Sequence, residues 1–181
     1  MRVTIVNRYF WPESLLVNDI SRWLVADGHE VRVLTGHPDY NPEAKLPARP
    51  RREIWDGVEV RQINFFRDRG RGIKRNLNSG LFILLATLRI VFGRKTDVVW
   101  STSIPPILQP LLLRLATKLR GAKFIYFPQD IYPEIATTMA MMKPGRLDRF
   151  LRKIDTWTLS KADAVVTISH DMADVLSLIH I

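Results

Sequence analysis

The chain has 181 residues and a mass of 20.9 kDa, enough for one sizeable domain with a buried core or two small ones. Its 46% apolar and 25% charged residues exclude a disordered tail, a collagen-like chain and a low-complexity array; the absence of cysteine excludes a disulfide framework, a thiolate zinc site and a cysteine nucleophile, and suits a reducing compartment. The net charge is +9, and the excess is clustered: nine bases stand against four acids between Arg49 and Arg75. Such a face attracts nucleic acid, anionic lipid or a phosphorylated substrate, or simply keeps a loop solvated, and charge alone does not choose among these.

Met1–Asn7 runs straight into a strand-like segment without the apolar stretch and cleavage site of a secretory signal, so a cytoplasmic chain is expected. Val3–Val6 is apolar and β-branched and reads as a buried strand. Val17, Ile20, Trp23 and Leu24 then recur at helical spacing, and Gly28 supplies a left-handed stop. Val31–Leu34 is the second strand. A Pro- and Arg-rich connection leads to Val58–Ile63, which alternates like a more exposed strand. Leu77–Phe92 is helical and spans about 24 Å, short of the ~30 Å hydrocarbon core, so it covers the sheet or lies on a membrane rather than crossing one. Val98–Trp100, Phe124–Phe127 and Ala164–Ile168 read as strands, with helices at Ile107–Leu119 and Leu147–Leu159 between them. Strands separated by helices pair in parallel through right-handed crossovers. The fold class is therefore α/β: an open, mostly parallel Rossmann-like sheet with helices on both faces.

Ligands of such sheets bind beyond the carboxyl ends of the strands. The segment after the first strand is Asn7-Arg8-Tyr9-Phe10-Trp11-Pro12-Glu13-Ser14. It lacks the glycines that let backbone approach a dinucleotide pyrophosphate, and no P-loop occurs anywhere, which argues against NAD, FAD and an NTPase. After the second strand, Gly36 and Pro38 stiffen a loop that carries His37 and Tyr40, either as ligand groups or as structural ones. Ser101-Thr102-Ser103 offers hydroxyls for a phosphate or a sugar, although helix capping explains Ser103 equally well. Gln129-Asp130 and Glu134, in the run Phe127–Glu134, place two carboxylates four apart beside an amide. These can take a proton, stabilise positive charge or bind sugar hydroxyls; the plainer reading is that Asp130 caps a helix and Glu134 lies on the surface. Ser169 is placed to cap the last helix.

Together these segments resemble the N-terminal half of the retaining GT-B glycosyltransferases of family 4, and within it the WbuB- or WcaI-like enzymes of bacterial O-antigen and capsule synthesis. The matching runs are YFWPES…ND at Tyr9–Asp19, GHEVRVLTGHPDYNPE at Gly28–Glu43, DGVEVRQI at Asp56–Ile63, PQDIYPE at Pro128–Glu134 and ADAVVTIS at Ala162–Ser169. The resemblance implies an enzyme that moves a sugar from a nucleotide-sugar donor to an acceptor, often a polyprenyl-diphosphate-linked glycan at the inner face of the cytoplasmic membrane. It implies no cofactor and no metal, because helix ends and basic side chains stabilise the leaving diphosphate. It assigns the acceptor site to this half. Asp130 would be catalytic, and Glu13, Ser14, His37, Tyr40, Ser101, Ser103, Gln129 and Glu134 would bind substrate. Arg67, Arg69, Arg71, Lys74 and Arg75 would face an anionic membrane surface.

The chain departs from the family in two places. Pro12–Leu16 stands where many relatives carry a glycine-rich loop, and the sequence ends at Ile181, before the donor-binding domain with its Glu-x7-Glu motif. The expectation is an acceptor-side domain over residues 1–176, a tail of uncertain origin at 177–181, and no donor domain, so that the chain alone is a truncated, inactive fragment. The alternative is a membrane-surface binding or scaffold module that pairs with a separate donor-binding subunit. A nucleic-acid-binding α/β domain is the third reading, for which the charge allows but no recognition motif speaks.

Overall fold

The computed structural model describes residues 1–13, 15–37, 49–63, 73–130 and 145–180, with 73–75 and 178–180 as backbone only. Among the expected site residues, Ser14, Tyr40, Glu134, Arg67, Arg69 and Arg71 lie outside the described residues, as do the side chains of Lys74 and Arg75. Seven strands form one sheet: β1 (Arg2–Val6), β2 (Glu30–Thr35), β3 (Arg52–Trp55), β4 (Val58–Gln62), β5 (Val98–Thr102), β6 (Lys123–Phe127) and β7 (Ala164–Val165). Their order is β3-β4-β2-β1-β5-β6-β7, parallel throughout except for the antiparallel β3–β4 edge. The helices are α1 (Leu16–Ala26), α2 (Ile73–Phe92), α3 (Leu108–Arg120), α4 (Arg146–Ser160) and α5 (His170–His180). Among the described residues no helix is long and apolar enough to cross a membrane.

Successive strand residues point to opposite faces, and the two faces carry separate cores. Val3, Ile5, Val31, Val33, Val58 and Val60 meet Phe10 and Val17 on the α1 side. Val6, Leu34, Val99, Phe124 and Tyr126 meet Phe82, Ile83, Ala86 and Ile90 of α2, Leu113 and Ala116 of α3, and Leu159, Met172 and Leu176 farther along. The Tyr126 hydroxyl, buried in that second core, donates to Asp155 Oδ1 at 3.1 Å. Burial, followed by the Asp155 charge, pushes the phenol well above its ordinary pKa.

The structure departs from expectation at four elements. β4 is buried rather than exposed, because β2 and β3 flank it and Val58 and Val60 pack into the α1-side core. β7 covers only Ala164–Val165 of the expected Ala164–Ile168. The Pro- and Arg-rich connection contains a strand, β3, joined to β4 by a two-residue turn at Asp56 (φ 46°) and Gly57 (φ 81°). Asp-Gly with both residues left-handed is the turn whose twist matches a hairpin, and this signal outweighs the polar flanks. A Cβ on Gly57 would also stand 2.8 Å from Val25 Cγ1, so the hairpin packs closely on α1. Helix α2 begins at Ile73, four residues before Leu77, because the apolar face that defines it only starts inside the second turn.

β1 is central, flanked by β2 on one side and β5 on the other. The chain winds outward from β1 in both directions, so the crevice of this sheet opens between the carboxyl ends of β1 and β5.

Candidate functional site

Polar side chains are concentrated at that crevice, and they are buried: Asn7, Arg8, Thr35, Ser101, Thr102, Ser103 and Gln109 are all at most 5% exposed. Thr102 Oγ1 donates to Asn7 Oδ1 at 2.7 Å, and Asn7 Nδ2 donates to the Tyr9 carbonyl at 2.7 Å. From α3, Gln109 Nε2 donates to the Val6 carbonyl at 3.2 Å and the Thr102 carbonyl at 3.1 Å, bridging the ends of β1 and β5. On the other side, Thr35 Oγ1 and Gly36 N both donate to the Arg8 carbonyl, at 3.2 and 2.8 Å, and Gln62 Nε2 donates to the Gly36 carbonyl at 3.2 Å. Strand ends buried under helices have backbone groups that must find partners, and these neutral side chains supply them. The result is a fixed shelf from which the loops emerge.

Arg8 is the charged member of the shelf. Its guanidinium lies 5.5 Å from the Tyr9 ring centroid and donates to the Ser79 hydroxyl of α2. That contact draws the early turns of α2 over the end of β1.

The expected site residues divide into groups. Ser103 and Gln129 are brought together, since the Gln129 N–H donates to Ser103 Oγ at 3.0 Å and ties the loop after β6 to the loop after β5. Ser103 does not cap α3, which begins at Leu108 with Ile107 at its amino end and no side-chain cap. Asp130 follows Gln129 and is exposed. Ser101 is fully buried, its hydroxyl donating to the Thr102 carbonyl at 3.0 Å. Glu13 is 8% exposed in a loop held by its own backbone: Glu13 N donates to the Phe10 carbonyl, and Asn18 Nδ2 donates to the Glu13 carbonyl at 2.7 Å. His37 is half-buried, two residues beyond the end of β2. Ser169 caps α5 as expected, accepting from Met172 N at 3.1 Å.

Asn7, Arg8 and Gln109 are not among the residues the sequence singles out, whereas Thr102, one of the three expected hydroxyls, is bonded within the shelf. One signal for Gln109 existed: an amide inside an apolar helical run, where only a buried hydrogen-bonding task makes it tolerable. Among the described residues no group of three or more His, Asp or Glu side chains gathers around a common point to hold a metal ion.

Comparison with known proteins follows the same lines. A family model described as a glycosyl transferase 4-like domain matches residues 16–179. WcaI of Escherichia coli (strain K12), named for colanic acid biosynthesis glycosyl transfer, is 25% identical over 186 residues, covering 95% of this chain and 45% of WcaI. The sucrose-phosphate synthase of Thermosynechococcus elongatus superposes with a TM-score of 0.65 at 11% identity, covering 99% of this chain and 45% of the synthase, which is a likeness of fold. The chain thus spans about half the length of the proteins it matches. Matched over most of its length and folded in this way, the chain belongs to the glycosyl transferase 4-like domain family, with the Rossmann-like architecture of the N-terminal half of GT-B glycosyltransferases.

Proposed function

We propose that the chain is the acceptor-side domain of a retaining glycosyltransferase, one that moves a sugar from a nucleotide-sugar donor to a lipid-linked or cell-surface polysaccharide acceptor without a metal or other cofactor. Its place is the inner face of the cytoplasmic membrane, where a polyprenyl-diphosphate-linked acceptor is within reach. The observation that carries the reading is the bond from Gln129 N–H to Ser103 Oγ, which fixes the base of the loop leading to an exposed carboxylate, Asp130, at the ligand edge of a family-matched sheet. A carboxylate on a fixed loop can hold a sugar hydroxyl in place and stabilise positive charge that develops on the transferred sugar. Glu13 and His37, on the loops after β1 and β2, border the same edge and would contact acceptor hydroxyls.

The test is transfer of labelled sugar from a panel of nucleotide-sugars to polyprenyl-diphosphate-linked acceptors by the full gene product. Turnover by the native protein, with a loss of about a hundredfold or more in Asp130→Ala at unchanged thermal stability, is the expected result. Undiminished turnover in the variant removes Asp130 from the mechanism, and no transfer from any donor refutes the reading.

A further inference from the structure

On the α2 face of the sheet, away from the carboxyl-edge loops, lies a pocket of about 210 Å³, between the middle of β1, β2 and β4 and the carboxyl end of α2. That is room for roughly seven waters. Four arginines line it: Arg32, Arg61, Arg89 and Arg94. Arg32, Arg61 and Arg94, joined by Arg52 from β3, gather around one carboxylate. Glu59, its side chain 11% exposed, accepts Arg61 Nε at 2.8 Å on Oε1, and Arg32 Nε at 3.1 Å and Arg94 Nη1 at 3.4 Å on Oε2, while Arg52 Nε pairs with Oε1 at 3.1 Å. Four guanidiniums thus take up the acceptor sites of a single carboxylate, while each keeps further N–H donors. Arg94 Nη2 also reaches Glu30 at 2.9 Å.

Arg89 has no ion pair among the described residues. Burial, and then the charges of Arg61 and Arg51, hold its guanidinium below the ordinary pKa. The carboxyl terminus of α2 contributes roughly half a negative charge, which draws arginines there without neutralising them. Positive charge therefore remains in excess in a concave site whose planar, forked donors suit phosphate oxygens.

We propose that this arginine pocket is a phosphate-binding site, separate from the sugar-transfer edge, that takes the phosphate of a soluble diphosphate or of an anionic phospholipid headgroup. The bound group completes the charge balance that Glu59 begins, with Arg89 as its main unpaired donor. The inference does not depend on the assignment of glycosyl transfer.

Titration calorimetry with inorganic pyrophosphate tests it on the chain itself, beside flotation with phosphatidylcholine vesicles with and without phosphatidylglycerol. Arg89→Gln is the variant, and Arg22→Gln is the control, since Arg22 pairs with Asp19 and Asp56 on α1 and the hairpin turn. Thermal unfolding verifies that both fold. The expected result is that Arg89→Gln weakens pyrophosphate binding about tenfold or more while Arg22→Gln changes it by less than about twofold. Capture by phosphatidylglycerol vesicles that Arg89→Gln abolishes identifies the ligand as a headgroup; pyrophosphate binding without capture identifies it as a soluble phosphate. Absence of both, or equal weakening by the two variants, overturns the proposal.

Discussion

The carboxyl and amino ends of this sheet solve their polar burial differently. At the carboxyl end, Asn7, Thr102 and Gln109 satisfy the strand ends with neutral hydrogen bonds of 2.7–3.2 Å. At the amino end, charge holds the connections. Arg2 pairs with Asp97 at 2.7 Å, Lys123 pairs with Asp163 at 2.8 Å, and four arginines crowd Glu59. Apart from Arg8 this shelf is neutral, and it gives the loops a rigid base. A charged end is sensitive to pH, to salt and to anions. The difference teaches that neutral hydrogen bonds fix the base of the loops at the carboxyl end, whereas the arginine pocket on the α2 face is left with a surplus of positive charge.

The comparison can be broken or sharpened by substitution. The largest effect is expected in activity: the hundredfold loss on Asp130→Ala, read as sugar transfer, should have no counterpart when a pocket arginine such as Arg89 is changed. Next comes Glu59→Gln, which leaves four guanidiniums around a neutral amide. Breaking a buried pair removes 3–5 kcal/mol, and the half-exposed arginine partners reduce this to about 2 kcal/mol in urea unfolding. Millimolar phosphate should recover part of that loss, since an anion bound only by the folded state stabilises it. Gln109→Leu strips two buried carbonyls of their donor and should remove about 1–2 kcal/mol, with no recovery in phosphate. Equal recovery in both variants would erase the distinction between the two ends.

The smallest effect concerns pH. Hydrogen bonds from the Arg2 side chain and backbone hold the Asp97 carboxyl at about 2, below its ordinary 3.8. A depressed carboxyl stabilises the fold above the unfolded value and loses that contribution as pH falls from about 4 to about 2. Asp97→Asn should therefore flatten the pH dependence of unfolding in that window and leave its shape near neutrality unchanged. Glu59 behaves alike: burial alone would raise its carboxyl, but hydrogen bonds from Arg61 and Arg32 outweigh burial and hold it low.

The alternation of apolar runs and helical spacing made the parallel sheet legible, and the strand ends then indicated where ligand groups should lie. What escaped were features whose meaning depends on distant neighbours. β3 reads as connection in the sequence because Arg52 and Glu53 dominate its composition, although Asp56-Gly57 announces its hairpin. Ser103 read as well as a helix cap as a ligand, and the structure shows it bonded to Gln129, twenty-six residues on. The basic excess was legible as a stretch between Arg49 and Arg75. Only folding shows that Arg61 joins Arg32, Arg89 and Arg94 in one pocket, because β2, β4 and α2 meet there. Local pattern carries the elements, whereas charge clusters and buried amides are properties of the tertiary structure.

The most direct measurement of the central claim is hydrogen exchange on this chain with and without a short-chain polyprenyl-diphosphate-linked sugar. The account predicts added protection in the segments after β1, β5 and β6, at residues 7–13, 101–103 and 128–130. Saturating ligand with unchanged exchange in all three segments would contradict the assignment of the acceptor to the carboxyl edge.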